Sequence, residues 1–405
     1  MNILLLNAGS SSLKASLVAA GDGTTIASGL ADWAGTVTRY RYAGPDGQVR
    51  SNDVPWTGHA EAVRHFVNDL IQGQPAALLD RTSLAAVGHR VVHGGPFTGS
   101  VRITPDIRSR INELAELAPL HNPPSLATLA AAEAELPDVP QVAVFDTAFH
   151  ATLPPHAWTY PVPQRWTHDW GIRRFGFHGL SYAYCAGRAG ELLGRPVAEL
   201  RLVICHLGHG CSAAAVRGGR CVDTTMGFTP LEGLMMGTRS GTIDPSIVLH
   251  VQQRYGLTTA QVETALNRES GLLGVSGVSA DMREVLAAAH SGLEPARLAL
   301  AMYAHRVRQA IGALAVTMGG IDALVFTAGV GEHAGEIRES ICTGLECLGL
   351  QLDAAANAAR PPDADVALAS SRGRILIVAT REDVTMLREV IQVLGDNDPA
   401  SARNR

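Results

Sequence analysis

NILLLNAGSSSLKASLVAAGDGTTIASGL (residues 2–30) and RLVICHLGHGCSAAAVRGGRCVDTT (residues 201–225) are the two stretches on which the fold turns. Each reads as an apolar strand, a small-residue turn, an alternating strand, a glycine-rich turn and a third strand. That order is an antiparallel meander by its turn chemistry. Laid over each other, Asn7 falls on His206 and Gly9 on Gly208, 199 residues apart. Alternating helix and strand follows each meander. After the first come AAVGHRVV (85–92), a helical stretch around 105–135 and QVAVFDTAFH (141–150). After the second come a long helical pattern near 294–318, DALVFTAGVG (322–331), another helix and RILIVAT (374–380).

A chance pair of glycine-rich hairpins is the plainer account. The matched strands VFDTAF (144–149) and VFTAGV (325–330) favour duplication instead. The expected fold is therefore α/β, with duplicated domains whose mixed sheets face a central cleft. The expected domains are 1–150 plus 383–405, to which the last helix crosses back, and a nucleotide-binding domain over 151–382. The tail after Gly395 is polar and expected to fray.

The bulk properties exclude several classes. A chain of 405 residues with 46% hydrophobic and 18% charged residues has enough apolar material for two sizeable cores and is not disordered. Lys and Arg number 33 against 38 Asp and Glu, a net charge of -5, so a broad nucleic-acid footprint is missing. Six cysteines without a Cys-x-x-Cys pair make no disulfide framework in a chain this long. The start, MNILLLN, lacks a cationic segment and is not a signal peptide. No run of 18 apolar residues spans a membrane. A cytoplasmic enzyme or nucleotide-binding protein remains.

The turn Asn7-Ala-Gly-Ser10-Ser-Ser12-Leu-Lys14 joins two strands and opens no helix, so it is not a P-loop. Its hydroxyls, close backbone amides and lysine still suit a phosphate, although a serine-rich hairpin accounts for it equally. His206-Leu-Gly-His209-Gly-Cys211 offers three zinc ligands by type, but no second ligand cluster supports a zinc site. Gly329-Val-Gly331-Glu-His-Ala334 follows a strand and opens a helix, with Asp353 22 residues beyond Gly331. This matches the dinucleotide fingerprint and makes a nicotinamide-dependent oxidoreductase a competing reading. The same turn can hold nucleotide phosphates on a helix N-terminus. Arg90, Asp146, His178 and Arg239 each stand beside glycines near strand ends. Singly each reads as structural; together they assemble two cations, an acid and an imidazole.

Taken with GHRVVHGG (88–95), LAPLHNPP (117–124), GFHG (176–179), MGFTPLEGLMMGTRSG (226–241), GVSADMR (277–283) and TREDVTMLREV (380–390), these motifs cover nearly the whole chain. It resembles the acetate kinase family, within the sugar kinase, actin and heat-shock-protein-70 superfamily. The resemblance implies reversible transfer of the ATP γ-phosphoryl group to acetate, giving acetyl phosphate and ADP. Propionate or another short acid is the alternative acceptor. It implies Mg²⁺, or Mn²⁺ in its place, held by Asn7 and Glu382. Ser10, Ser12 and Lys14 would lie around the phosphates. Arg90 would bind the carboxylate and Asp146 would be the catalytic acidic residue, while His178 and Arg239 would stabilise the transition state. His121 would line the site, and Val92, Leu120, Phe177 and Pro230 would form the acyl pocket. ATP would be held by His206, Leu207, Gly208, His209 and Gly210, by Asp281, Met282 and Arg283, and by Gly329, Val330, Gly331, Glu332 and His333. The resemblance also implies a homodimer.

Departures fall mostly on the nucleotide side. The family usually has Asn at the positions of His209, His333 and Arg381, and GFHGTSH where this chain has GFHGLSY, so Leu180 and Tyr182 stand out. A nucleotide-switched chaperone or filament protein of the same superfamily would have no use for Arg90, Asp146, His178 and Arg239 together.

Overall fold

The structure, a computed structural model, describes residues 1–116, 118, 121–359 and 363–396. The chain divides into two compact units: Met1–Phe149 together with the segment from Arg381 onward, and His150–Thr380.

The first unit is built on an eight-stranded mixed sheet. Its strands are β1 (Asn2–Ala8), β2 (Ser12–Ala19), β3 (Thr25–Asp32), β4 (Thr38–Ala43), β5 (Val49–Val54), β6 (Leu84–Val91), β7 (Val101–Arg102) and β8 (Gln141–Phe145). They lie in the order β5-β4-β3-β2-β1-β6-β8-β7, with β1, β6 and β8 parallel. Leu4, Leu6, Leu17 and Val87 are buried against the helices His59–Gln72 and Asn122–Glu135, which supply Val63, Phe66, Val67 and Ala132. Each such fully buried aliphatic side chain is worth about 1.5–3 kcal/mol. The helix Glu382–Asp396 packs on β6 so closely that a Cβ on Gly88 would lie 2.6 Å from Val390. Glycine is required there by the close approach.

The second unit carries a six-stranded sheet of β9 (Arg201–Leu207), β10 (Cys211–Arg217), β11 (Arg220–Thr224), β12 (Ala323–Thr327), β13 (Ala364–Asp365) and β14 (Arg374–Ile377). Its order is β11-β10-β9-β12-β14-β13, with β9, β12 and β14 parallel. All five residues of β12 are buried, as a central parallel strand covered on both faces requires. Tyr303, Val307, Ile311 and Leu314 form the buried stripe of the helix Glu294–Thr317. The run β3-β2-β1-β6-β8 of the first unit has the same order and strand directions as β11-β10-β9-β12-β14 of the second. The duplication expected from the two meanders is present.

The repeats differ by one residue of register. Asn7 pairs with Lys14 across β1 and β2, whereas His206 pairs with Ser212 across β9 and β10. The second return strand is thus one residue early, and Ser212 occupies the place of Lys14.

Two sequence expectations change in detail. The strand expected over 141–150 stops at Phe145, because the Asp146 amide donates to the Val91 carbonyl and the chain turns into the 3-10 helix Ala148–Thr152. The GVGEH segment forms only the six-residue helix Ala328–His333, entered through Ala328 at φ +65° and ended at Ala334. A dinucleotide fingerprint opens a longer helix than this. Asp353, placed by the competing reading on a ribose, instead accepts from the Ala355 and Ala356 amides at 2.9 and 3.0 Å. Among the described residues no helix is long and apolar enough to cross a membrane.

Candidate active site

Each unit carries a cluster of candidate functional residues. In the first, Arg90 stands near the end of β6, one residue beyond the paired Leu6 and His89, which brings it beside Asn7. Asp146 follows β8 directly. Its oxygens accept from Arg90 Nε at 3.1 Å and Nη2 at 2.7 Å, a bidentate pair with Asp146 only 1% exposed. The third nitrogen, Nη1, donates to Asn7 Oδ1 at 3.4 Å and lies 3.2 Å from Glu382 Oε2, at the start of the last helix. Burial by itself would lower the Arg90 pKa, but the Asp146 and Glu382 carboxylates outweigh it and hold the guanidinium above its usual value. The Glu382 pKa also rises, here because burial prevails: it pushes the carboxyl up, and the attraction of Arg90 and Lys14 offsets this only partly.

The surrounding loops are fixed by side-chain bonds to backbone. The buried Asn122 pairs with both peptide groups of His93, accepting from its amide at 3.1 Å and donating to its carbonyl at 3.0 Å. Thr147 Oγ1 accepts from the Gly94 amide, and Ser125 Oγ donates to the Arg90 carbonyl. Gly9 closes its turn onto Ser12 through a backbone bond of 2.8 Å, and its carbonyl accepts from His59 Nε2 at 2.9 Å.

In the second unit, His178 sits at φ 59°, ψ 25° as the residue capping the helix Gly179–Leu193. Its ring stacks on His206 with centroids 4.0 Å apart and planes at 17°. His178 Nδ1 is 2.7 Å from Ser212 Oγ, and His206 Nδ1 is 2.8 Å from Ser181 Oγ. Arg239 donates from Nη1 to the Pro230 carbonyl at 3.5 Å, and burial lowers its pKa from the ordinary value. A Cβ built on Gly210 would be 3.6 Å from both Arg239 Nη1 and His178 Nε2. These two nitrogens therefore flank the same bare stretch of backbone.

Beside them lies a cavity of about 920 Å³. Leu272, Met282, Leu286, Tyr303 and Val330 supply its apolar wall, with Gly208, Gly329 and Gly335 as backbone floor and His209, Asp281, Arg283, His290, His333 and Glu336 at the rim. An apolar slot with few polar groups suits a nucleobase, and glycine amides suit phosphates. Asp281 caps the helix Met282–His290 by accepting from the Arg283 amide at 2.8 Å. Hydrogen bonds from Arg283 hold its pKa down at about 2. Burial and Arg239 lower the His209 pKa.

The sequence-derived set is thus brought together in two groups. Asn7, Arg90, Asp146 and Glu382 converge on one guanidinium in the first unit. Gly208, His209, Asp281, Met282, Arg283, Gly329, Val330 and His333 line the cavity of the second, with His178, His206 and Arg239 in the neighbouring network. Leu207, Gly210, Gly331 and Glu332 do not line that cavity. Glu332 Oε1 instead accepts from the Ala328 and Thr380 amides. Of the expected acyl pocket, Val92 is half-buried in the first unit, while Phe177 and Pro230 belong to the second and the Phe177 ring is 1% exposed. Leu120 lies outside the described residues, and His121 begins the helix Asn122–Glu135.

Sequence reasoning missed the supports. Arg338, fully buried, donates to the Gly331 and Glu332 carbonyls at 2.9 Å and to Asn357, so it fixes the turn that forms the cavity floor. Ser181, Tyr182 and Ser212 hold the two imidazoles; the sequence marked Tyr182 only as a departure from the family pattern, and the place of Ser212 opposite His206 in the hairpin was the other available signal. Among the described residues no three His, Cys, Asp or Glu side chains gather to hold a metal by themselves.

The chain is similar to known proteins over nearly its whole length. A family model described as the acetokinase family matches residues 2–388. An acetate kinase of Gloeobacter violaceus is 51% identical over 337 residues, 83% of each chain. One of Carboxydothermus hydrogenoformans is 44% identical over 396 residues, 97% of this chain and 99% of the relative. Among solved structures, the acetate kinase of Porphyromonas gingivalis superposes with a TM-score of 0.89 at 38% identity, covering 97% of this chain and 99% of its own. A propionate kinase of Francisella tularensis gives 0.89 at 36% identity, covering 96% and 98%.

Proposed function

The chain belongs to the acetokinase family, and from that membership we propose that it transfers the γ-phosphoryl group of ATP reversibly to acetate, with propionate a poorer acceptor. The observation that carries this reading is the Arg90 guanidinium, gripped on one side by Asp146 and shared on the other by Asn7 and Glu382.

A short carboxylic acid has a pKa of roughly 4, so at neutral pH the nucleophile is already an anion and needs no general base. The obstacle is repulsion. Two unit charges at 4 Å interact by about 4 kcal/mol at an effective dielectric of 20, and the γ-phosphoryl group carries more than one. Arg90 binds the acceptor carboxylate, and Asp146 keeps the guanidinium in plane rather than taking a proton. Arg239 and His178 direct N–H groups at the charge that develops on the phosphoryl oxygens. The glycine-floored cavity holds the nucleotide.

The oxygens of Asn7 and Glu382, both within 3.4 Å of one Arg90 nitrogen, are hard donors of the type that Mg²⁺ takes. So sparse a set suits an ion that keeps several waters and arrives with nucleotide phosphates. When bound, Mg²⁺ or Mn²⁺ neutralises phosphate charge and orients the γ-phosphoryl group.

We read the enzyme as a homodimer: the helix Pro245–Tyr255 has no buried residue and exposes Ile247, Leu249 and Tyr255, which a second copy would cover. Light scattering at the mass of one chain would remove that part of the reading. Six free cysteines are in keeping with a reducing cytoplasm. The decisive test of activity is ATP-dependent trapping of acetyl phosphate as a hydroxamate with hydroxylamine. Purified enzyme with Mg²⁺ should form it from acetate, and its absence would overturn the assignment.

A further inference from the structure

Behind His178 lies a chain of hydroxyls whose order of donation decides what the imidazole offers. Ser212 is fully buried in β10, with His178 Nδ1 2.7 Å from its Oγ and the Tyr182 hydroxyl hydrogen-bonded to the same oxygen. Tyr182 lies one turn into the helix that His178 caps, also at 0% exposure. Ser212 has one hydrogen to give. If Tyr182 donates to Ser212, that hydrogen goes to His178 Nδ1 and the imidazole carries its proton on Nε2. If His178 donates from Nδ1, its Nε2 presents a lone pair.

The neighbouring imidazole is held by a matching pair of hydroxyls. Thr380 Oγ1 donates to Ser181 Oγ at 3.0 Å, and His206 Nδ1 lies 2.8 Å from that oxygen. In both places an outer hydroxyl that donates to the serine leaves the serine hydrogen for Nδ1. Burial raises the Tyr182 pKa well above its ordinary value, so the phenol keeps its proton and remains a donor. Near His178 Nε2 are Gly210 and Arg239 Nη1, the side on which the proposed transfer places the anionic phosphoryl group. A lone pair there would repel it, whereas an N–H attracts it.

Resting on the placement of His178 in the phosphoryl-transfer machinery, we propose that Tyr182 and Ser212 are positioning residues that hold His178 as its Nε2–H tautomer and so make it a neutral hydrogen-bond donor to the transferring group. The imidazole then needs no added proton to work, and two stacked cations 4 Å apart are avoided.

The test joins kinetics to the tautomer itself. In ¹⁵N-histidine-labelled protein, with His178 assigned by difference from His178→Gln, wild type should show the His178 proton on Nε2, and Tyr182→Phe should give a mixture. In the hydroxamate assay Tyr182→Phe and Ser212→Ala should each lower kcat by about 10–100-fold, the range seen when the partner that orients a metal-bound imidazole is removed. The KM values for ATP and acetate should stay within about twofold, because the lost interaction acts in the transition state. Ser212→Thr, which keeps the hydroxyl, should restore most of kcat. A His178 proton on Nδ1 in wild type would overturn the proposal, as would unchanged kcat in both Tyr182→Phe and Ser212→Ala. Failure of wild type to phosphorylate acetate would refute the function while leaving the tautomer and its dependence on Tyr182 readable by resonance. Should Tyr182→Phe fold poorly, the Ser212→Ala and Ser212→Thr pair decides alone: equal kcat in the two refutes the relay.

Discussion

Replacing Arg90 by alanine should damage the first unit itself, beyond any effect on catalysis. Asp146 is 1% exposed and Glu382 19%, and the guanidinium that compensates both is 17% exposed in its side chain. Removing one partner of a buried pair leaves an uncompensated charge, which costs about 3–5 kcal/mol. The residual exposure of Arg90 and Glu382 argues for the lower part of that range, about 3–4 kcal/mol. For a unit of this size each kcal/mol moves Tm by about 2–4 °C, so Arg90→Ala should lower the calorimetric transition of the first unit by roughly 6–16 °C at pH 7.5. The double variant Arg90→Ala with Asp146→Asn removes one stranded charge and should recover at least half of the loss while remaining inactive. The deficit should also shrink as the pH falls. Burial already raises the Glu382 pKa in the folded state, so the native protein takes up this proton before the unfolded chain does, and stability gained on acidification is larger once Arg90 no longer opposes protonation. Scanning calorimetry of the full chain at several pH values reads all three effects. A transition of Arg90→Ala within about 1 °C of wild type at pH 7.5 would refute the claim that this guanidinium neutralises buried carboxylates.

Other predictions concern the second unit and the acceptor. Arg239→Ala should lower kcat by about 10³-fold or more with little change in the ATP KM, since an arginine on a transferring phosphoryl group is worth about 10³–10⁵ in rate; equal kcat in the hydroxamate assay contradicts its role. Asp281→Ala removes the cap of the helix Met282–His290 and the anchor of Arg283, so the ATP KM should rise several-fold with kcat nearly kept, and calorimetry should show a loss of about 1 kcal/mol. Propionate should be turned over with kcat/KM about 10–100-fold below acetate, one methylene being worth about 1–3 kcal/mol in a small apolar pocket. Butyrate as good as acetate would contradict the small acceptor pocket that the resemblance implies.

Much of the architecture is legible in the sequence because strand and turn chemistry repeat at a fixed offset. The pairs β1–β2 and β9–β10 follow from apolar runs broken by glycine, and the parallel strands β6, β8, β12 and β14 from short buried runs between helices. The hairpin of β4 and β5 was not read, although Thr38, Tyr40 and Tyr42 alternate inward against Arg39 and Arg41 outward; the tyrosines and arginines mask a period of two on a hydropathy scale. Arg90, Asp146, Asn7 and Glu382 come from four distant segments, and only the resemblance grouped them. Arg338 and Asn357 were missed for a different reason. Their work is to satisfy buried carbonyls, and nothing local in a sequence distinguishes a buried arginine from an exposed one.

The single-residue difference in register gives the duplication its chemical meaning. Both hairpins end beside a parallel neighbour, so each unit offers three positions at the same point of the fold: the tip of the central strand, its partner across the hairpin, and the adjoining strand end. In the first unit these are Asn7, Lys14 and Arg90, with Glu382 brought in by the last helix; in the second they are His206, Ser212 and Thr327. At these positions the first copy carries two cations and a carboxylate around one amide, and the second an imidazole and two hydroxyls beside glycine backbone. The proposed reaction would use the concentrated charge of the first for a small anion and metal-bound phosphate, and a shaped floor with many weak donors suits a base and a ribose. Exchanging the two characters, for instance by Ser212→Lys, would place an unpaired ammonium in a buried position beside two stacked imidazoles. That substitution should unfold the second unit rather than create a second acceptor site.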